Sequence, residues 1–119
     1  MNADSAVQEI GAVESTLEPF RQTLFRHGLS LERGKTTILQ INVGLLCNQT
    51  CRHCHLMAGP GREENMDSET ADQVIAYAAR SGFEVIDITG GAPELNPNIM
   101  RLIDGLHPHT PRLLFRSNL

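Results

Sequence analysis

Cys47, Cys51 and Cys54 are spaced Cys-x-x-x-Cys-x-x-Cys and are the only cysteines in the chain. A [4Fe–4S] cluster is normally held by four thiolates. A compact loop with three leaves one iron without a protein ligand, and catalytic metal sites keep such a position open. The pattern therefore points to an iron–sulfur cluster that binds a substrate or cofactor directly. Three rivals fit part of it. A zinc knuckle could add His55 to make a Cys₃His set, although neighbours such as Cys54 and His55 cannot easily bind one ion. Cys51-Arg52-His53-Cys54-His55 matches a Cys-x-x-Cys-His haem attachment signature, which leaves Cys47 without a role. The last is a thiol pair at a redox or structural turn.

The elements that must position this loop can be read from periodicity and punctuation. Thr36–Val43, just ahead of the loop, alternates as a strand, with Leu39, Ile41 and Val43 on one face and Ile38, Gln40 and Asn42 on the other. Ala58-Gly59-Pro60-Gly61 breaks the chain after the loop. Asp67 is a good helix N-cap, with Glu69 complementing the dipole of the first turn. Ala71, Val74, Ile75 and Ala78 form the apolar stripe of that helix, and Gly82 can close it. Phe83–Thr89 reads as a second strand ending at Gly90-Gly91. Asn96 is expected to cap a second helix, with Pro97 at its first position and Ile99, Leu102, Ile103 and Leu106 as its stripe, stopped by Pro108. Arg112–Ser117 is a third strand.

Strand–helix alternation of this kind predicts an α/β fold with parallel pairing and right-handed crossovers. Sites in such folds gather at the carboxyl ends of the strands. The cysteine loop, the Gly90-Gly91 turn and Asn118 all fall at that edge. Upstream, residues 5–27 read as helical through Ala6, Ile10, Val13 and Leu17. Pro19 can begin a second short helix, and Gly28 can end it. The expected division is a helical extension over 1–34 and an α/β portion over 35–119.

Composition bounds the function. Apolar residues make up 40% of 119 and aromatics only 4%, so the core must rest on Leu, Ile, Val, Ala and Met. A net charge of −4 argues against a nucleic-acid binder, which needs a basic face. No apolar stretch is long enough to span a bilayer, so no membrane association is expected. Met1–Ala6 has no signal-peptide pattern, and the expected location is cytoplasmic, where closely spaced cysteines are more often metal ligands than disulfides.

The cysteine spacing after a first strand, with a Gly-Gly turn after the second, resembles the radical S-adenosylmethionine (SAM) superfamily over residues 36–118. The resemblance implies the N-terminal (βα) repeats of a partial TIM-type barrel, a [4Fe–4S] cluster on Cys47, Cys51 and Cys54, and SAM chelating the fourth iron. One electron from the reduced cluster would break a C–S bond of SAM and release a 5′-deoxyadenosyl radical. Flavodoxin or ferredoxin would be the electron donor. His53 occupies the position that lies near the adenine in that family. Thr89-Gly90-Gly91-Ala92-Pro93 resembles the Gly-Gly-Glu-Pro turn that receives the SAM amino group, with Ala92 where Glu is usual. Backbone carbonyls or Glu94, two residues on, would then serve the ammonium. Asn118 stands where polar residues surround the cofactor. His107 and His109 read as solvated loop residues.

The longer runs Leu39–His55, Ala58–Arg62 and Asp87–Pro97 are similar to the arsenosugar-biosynthesis radical SAM proteins, in which Ala at position 92 is part of the pattern. That likeness implies a small-molecule substrate, a trivalent methylated arsenic compound that accepts the deoxyadenosyl group. It also implies a truncation after the third strand, without the family's cysteine-rich C-terminal part. A radical SAM enzyme acting on an organic metabolite or peptide, and a non-catalytic iron–sulfur module, are the alternatives.

Overall fold

A computed structural model describes residues 17–118. The chain divides at Gly34/Lys35 into two compact units. In the first, α1 spans Phe20–Arg26, and Pro19 is its cap residue rather than its first helical position. Gly28 ends the helix in the left-handed region at φ 64°, and the Leu29 amide closes the turn on the Leu24 carbonyl at 2.9 Å. The helix expected from residue 5 lies largely outside the described residues. Nothing on α1 is buried.

The second unit is a three-stranded parallel sheet in the order β1-β2-β3, with β1 at Ile38–Asn42, β2 at Val85–Thr89 and β3 at Arg112–Phe115. The crossover helices are α2, Ser68–Ser81, and α3, Ile99–Leu106. This is the expected α/β architecture of a partial (βα) barrel. Asp67 caps α2, its carboxylate accepting the Thr70 amide at 2.8 Å. Gly82 closes the helix in the left-handed region at φ 67°.

Each strand is shorter than its apolar run. The Thr37 carbonyl takes the amides of both Glu84 and Val85, so regular pairing starts only at Ile38↔Val85. Phe83 is left out of β2 yet remains buried, its ring 5.5 Å from that of Tyr77. The start of α3 also differs from expectation. Pro93–Leu95 forms a 3₁₀ turn, Asn98 is the cap residue, and Asn96 is buried instead. The Asn96 amide donates to the carbonyls of Val43 (3.0 Å) and Met66 (3.2 Å), and its Oδ1 accepts the Asn98 amide. Asn96 thus serves the approach to α3 with its Oδ1 and the exit of β1 with its amide, two residues ahead of the helix's own cap position. Pro108 does end α3, but inside a 3₁₀ turn over His107–His109.

Period-two alternation divides the sheet into two unlike faces. Ile41 and Val43 of the first strand segment and Ile86 and Ile88 of β2 pack under Ala71 and Ala78 of α2 and Leu102 and Leu106 of α3. Leu39, Val74, Ile75, Ile99, Ile103 and Leu113 close the margins of this core. The opposite face carries Gln40, Asn42, Asp87 and Thr89, with Gln40 level with Asp87 and Asn42 level with Thr89. No helix among the described residues is long and apolar enough to cross a membrane.

Candidate functional site

The cysteine loop is anchored at its base by backbone bonds. The Cys47 amide donates to the Gly59 carbonyl and the Gly59 amide to the Leu45 carbonyl, each at 3.1 Å. Leu45 in turn bonds Glu64, and Met66 bonds Val43 at 2.8 Å, so the returning chain is paired against the exit of β1. Within the loop the Cys54 amide reaches the Cys51 carbonyl at 3.2 Å, and the Met57 amide reaches the Cys54 carbonyl at 3.1 Å. Two successive turns therefore place the second and third cysteines. Met57, with φ 52°, supplies the reversal that sends the chain back toward Ala58.

The Gly90-Gly91 turn presses on this base. The amides of Gly91 and Ala92 donate to the carbonyls of Gly44 (3.0 Å) and Leu46 (2.8 Å). A Cβ on Gly91 would drive into the Leu46 carbonyl oxygen, so only glycine permits the approach. Ala92 is buried with Cys47 and Ala58 in a small second cluster that Cys54 joins. The methyl group at position 92 thus lies against a cysteine, and its carbonyl accepts the Leu95 amide at 2.9 Å.

Each thiol has a distinct setting. Cys47 is buried, and its Sγ accepts the Gln49 amide and the Asn118 side-chain amide, both at 3.4 Å. Asn118 also donates to Asn48 Oδ1 at 2.8 Å, tying the end of the third strand segment to the loop. Cys54 is half-buried, and the backbone groups of Ala58, then Leu56, hold its thiol below the ordinary range against partial desolvation. Cys51 is exposed. N–H donors aimed at sulfur stabilise thiolates, the form that binds metal. Among the described residues, no three His, Cys, Asp or Glu side chains converge on one point suited to a single ion. Three free thiols on one short loop are soft donors of the type that holds iron–sulfur clusters. The donor set fits a cluster in its chemistry.

A cavity of about 420 Å³ opens beside the loop at the carboxyl ends of β1 and β2. Cys51, His53, Cys54, His55 and Leu56 wall it on the loop side; Gln40, Asn42, Thr89, Gly90 and Arg116 wall it on the sheet side. Of the residues singled out from sequence, Cys51, His53, Cys54, His55 and Gly90 line this space, and Cys47, Gly91, Ala92, Glu94 and Asn118 do not. Glu94 Oε1 accepts the Ser117 hydroxyl at 3.1 Å, while its Oε2 is buried with no partner among the described residues. An orphaned carboxylate oxygen suits a cationic donor. His107 and His109 lie on the 3₁₀ turn after α3, on neither the loop nor the cavity wall.

Sequence reasoning passed over the sheet-side polar residues. Asp87 is only 5% exposed and receives Arg116 Nε on Oδ1 at 2.9 Å, Arg116 Nη2 on Oδ2 at 2.8 Å and Gln40 Nε2 at 3.3 Å. The Arg116 guanidinium, aided by Gln40, holds the Asp87 carboxyl below the usual carboxylate range despite burial. The available signal was a charge in the middle of an otherwise apolar central strand, where it must be paired.

Residues 41–118 match the family model described as the radical SAM superfamily. Over 82 residues the chain is 28% identical to a probable GTP 3′,8-cyclase of Pyrococcus abyssi and 29% identical to one of Pyrococcus horikoshii. These matches take in 69% of this chain but 27% and 26% of the two relatives, so the matched stretch spans about a quarter of their length. Neither comparison reaches the arsenosugar grouping, which stays a finer reading of the motifs.

Proposed function

This chain belongs to the radical SAM superfamily, whose cofactors are a [4Fe–4S] cluster and SAM, and on that premise we propose that Cys47, Cys51 and Cys54 hold the cluster for radical chemistry on a small molecule. The observation that carries this reading is the cysteine loop itself, anchored at the carboxyl end of β1 and supplied with N–H donors to sulfur, beside a cavity of about 420 Å³. Held by Cys47, Cys51 and Cys54, a reduced cluster would supply one electron for cleavage of SAM into methionine and a 5′-deoxyadenosyl radical, with flavodoxin or ferredoxin as the reductant. Gly91 brings the β2 turn onto the loop, His53 offers a ring at the cavity wall for the adenine, and the backbone carbonyls of the Gly90-Gly91 turn are the acceptors for the SAM ammonium, Glu94 being off the cavity wall with its free oxygen buried. Asn118 donates to Cys47 and holds it in place. Residues from Lys35 onward form the catalytic portion in this reading.

Anaerobic reconstitution tests it. About four irons per chain and a cluster spectrum that changes when SAM is added are expected. A colourless protein carrying one zinc, or a cluster indifferent to SAM, would sink the reading.

For the acceptor, the motif runs that resemble the arsenosugar proteins support a trivalent methylated arsenic compound, whose lone pair can take a carbon radical. An organic metabolite is the second reading, favoured by the polar sheet-side wall with Arg116 in it. GTP, the nucleotide in the names of the two Pyrococcus relatives, is one metabolite of that kind.

A further inference from the structure

Arg116 follows β3 with its backbone amide bonded to the Ile88 carbonyl at 3.0 Å, so the strand ladder fixes its main chain. Its side chain lies along the cavity face onto Asp87, in the two-point contact of Nε and Nη2 with the two carboxylate oxygens. Asp87 cannot turn away, because it is buried and also held by Gln40. A guanidinium has five donors in a rigid plane. The bonds to Asp87 use the edge running from Nε to Nη2. At the far end, Nη1 and the second, outward N–H of Nη2 have no hydrogen-bond partner among the described residues, and the side chain is 62% exposed where Asp87 is 7%. An ion pair that served packing alone would gain nothing from this asymmetry, and an apolar residue would fill the buried position at least as well.

We propose that the free fork of Arg116, oriented by Asp87, binds an oxyanionic group, carboxylate or phosphate, on the small molecule that enters this cavity. The fork matches either group in two-point geometry. Asn42 and Thr89 stand on the same wall to take further oxygens, and the same cavity borders Cys51 and Cys54, so a molecule gripped here lies beside the loop. Arg116 contacts the ligand; Asp87 is a positioning residue. The assignment rests on the radical SAM reading for calling the ligand a substrate. It goes with the organic-metabolite acceptor, since an uncharged methylated arsenical would leave the fork unused. SAM carries a carboxylate too and is the competing source of the same chemistry.

The test is calorimetric titration of the anaerobically reconstituted full chain with inorganic phosphate and, separately, with succinate, while the cluster spectrum reports SAM binding. Saturable binding of at least one anion is expected, weakened by roughly tenfold or more in Arg116→Gln and several-fold in Arg116→Lys, which keeps the charge and loses the fork. Asp87→Asn separates orientation from charge. Loss of a negative charge alone would strengthen anion binding, so weaker binding in this variant supports a positioning role, and tighter binding overturns it. Equal anion binding in wild type and Arg116→Gln, with matched unfolding midpoints, overturns the clamp. So does failure of the wild type to bind either anion. If Arg116→Gln weakens SAM as much as the anions, the fork holds the cofactor carboxylate and the substrate assignment falls. A cluster that ignores SAM in the wild type removes the radical SAM reading, while the anion titrations still report on the fork.

Discussion

The helix-covered face and the cavity face of the sheet are built from alternate residues of the same three strands, and they differ in almost every other respect. On the covered face Ile41, Ile86 and Ile88 meet Ala71, Ala78, Leu102 and Leu106, all buried and all apolar. On the cavity face Gln40, Asp87 and Arg116 are joined by directional bonds, with a partly exposed guanidinium at the end. Shape complementarity holds the first and hydrogen-bond geometry the second. One face can therefore be damaged without the other, and the contrast can be broken or sharpened by substitution.

The sharpest contrast comes from Cys51→Ser. Cys51 is exposed and outside both apolar clusters, so cluster loading should collapse while unfolding free energy moves by about 0.5 kcal/mol or less. Iron analysis beside denaturant titration checks this, and a large loss of stability would show that the cysteine is structural. Leu102→Ala is the converse. Truncating a fully buried leucine should cost about 2–5 kcal/mol. Cluster uptake per folded molecule should be unchanged; a fall in uptake among folded molecules would mean that the faces are coupled.

Gly91→Ala strikes the junction between them. The added methyl must displace the Leu46 carbonyl, and about 1–3 kcal/mol is the expected cost. Here stability and cluster uptake should fall together, measured on one preparation. The smallest effect is the pH response of Asp87. Its carboxyl is held below the unfolded value of about 3.9, so its contribution is present above that pH and is lost as pH falls through the folded value. The stability difference between wild type and Asp87→Asn should therefore hold through neutral pH and shrink below about pH 4. A difference that grew on acidification would contradict the ion pair.

The covered face was the legible one. Its stripes follow helix and strand periods, and Ala71, Val74, Ile75 and Ala78, like Ile99, Leu102, Ile103 and Leu106, fall where spacing puts them. Asp67 and Gly82 carry their own conformational reasons and act as read. The cysteine spacing was legible as chemistry, and the loop it defines borders a cavity at the expected sheet edge. Long-range polar pairing was not legible. Asn96 bonds Val43 across 53 residues of sequence, and Asp87 bonds Arg116 across 29, and no local pattern announces either partner. Asn96 misled for that reason: beside Pro97 it reads as a cap, and only the fold brings Val43 and Met66 to its amide. The packing of Ala92 on Cys47 was hidden in the same way.

The pairing of Cys47 with Gly59 brings the two ends of the cysteine loop side by side. A segment entered and left through one doorway imposes little strain on its host, because the entropic cost of extra length between fixed ends grows only slowly, by about 0.6 kcal/mol per doubling. Residues 48–58 therefore leave and rejoin the sheet at one point, and the turns that place Cys51 and Cys54 are closed within the loop. The conformational cost of holding those two thiols falls on the loop itself, and the strand order beneath it is not strained by their placement.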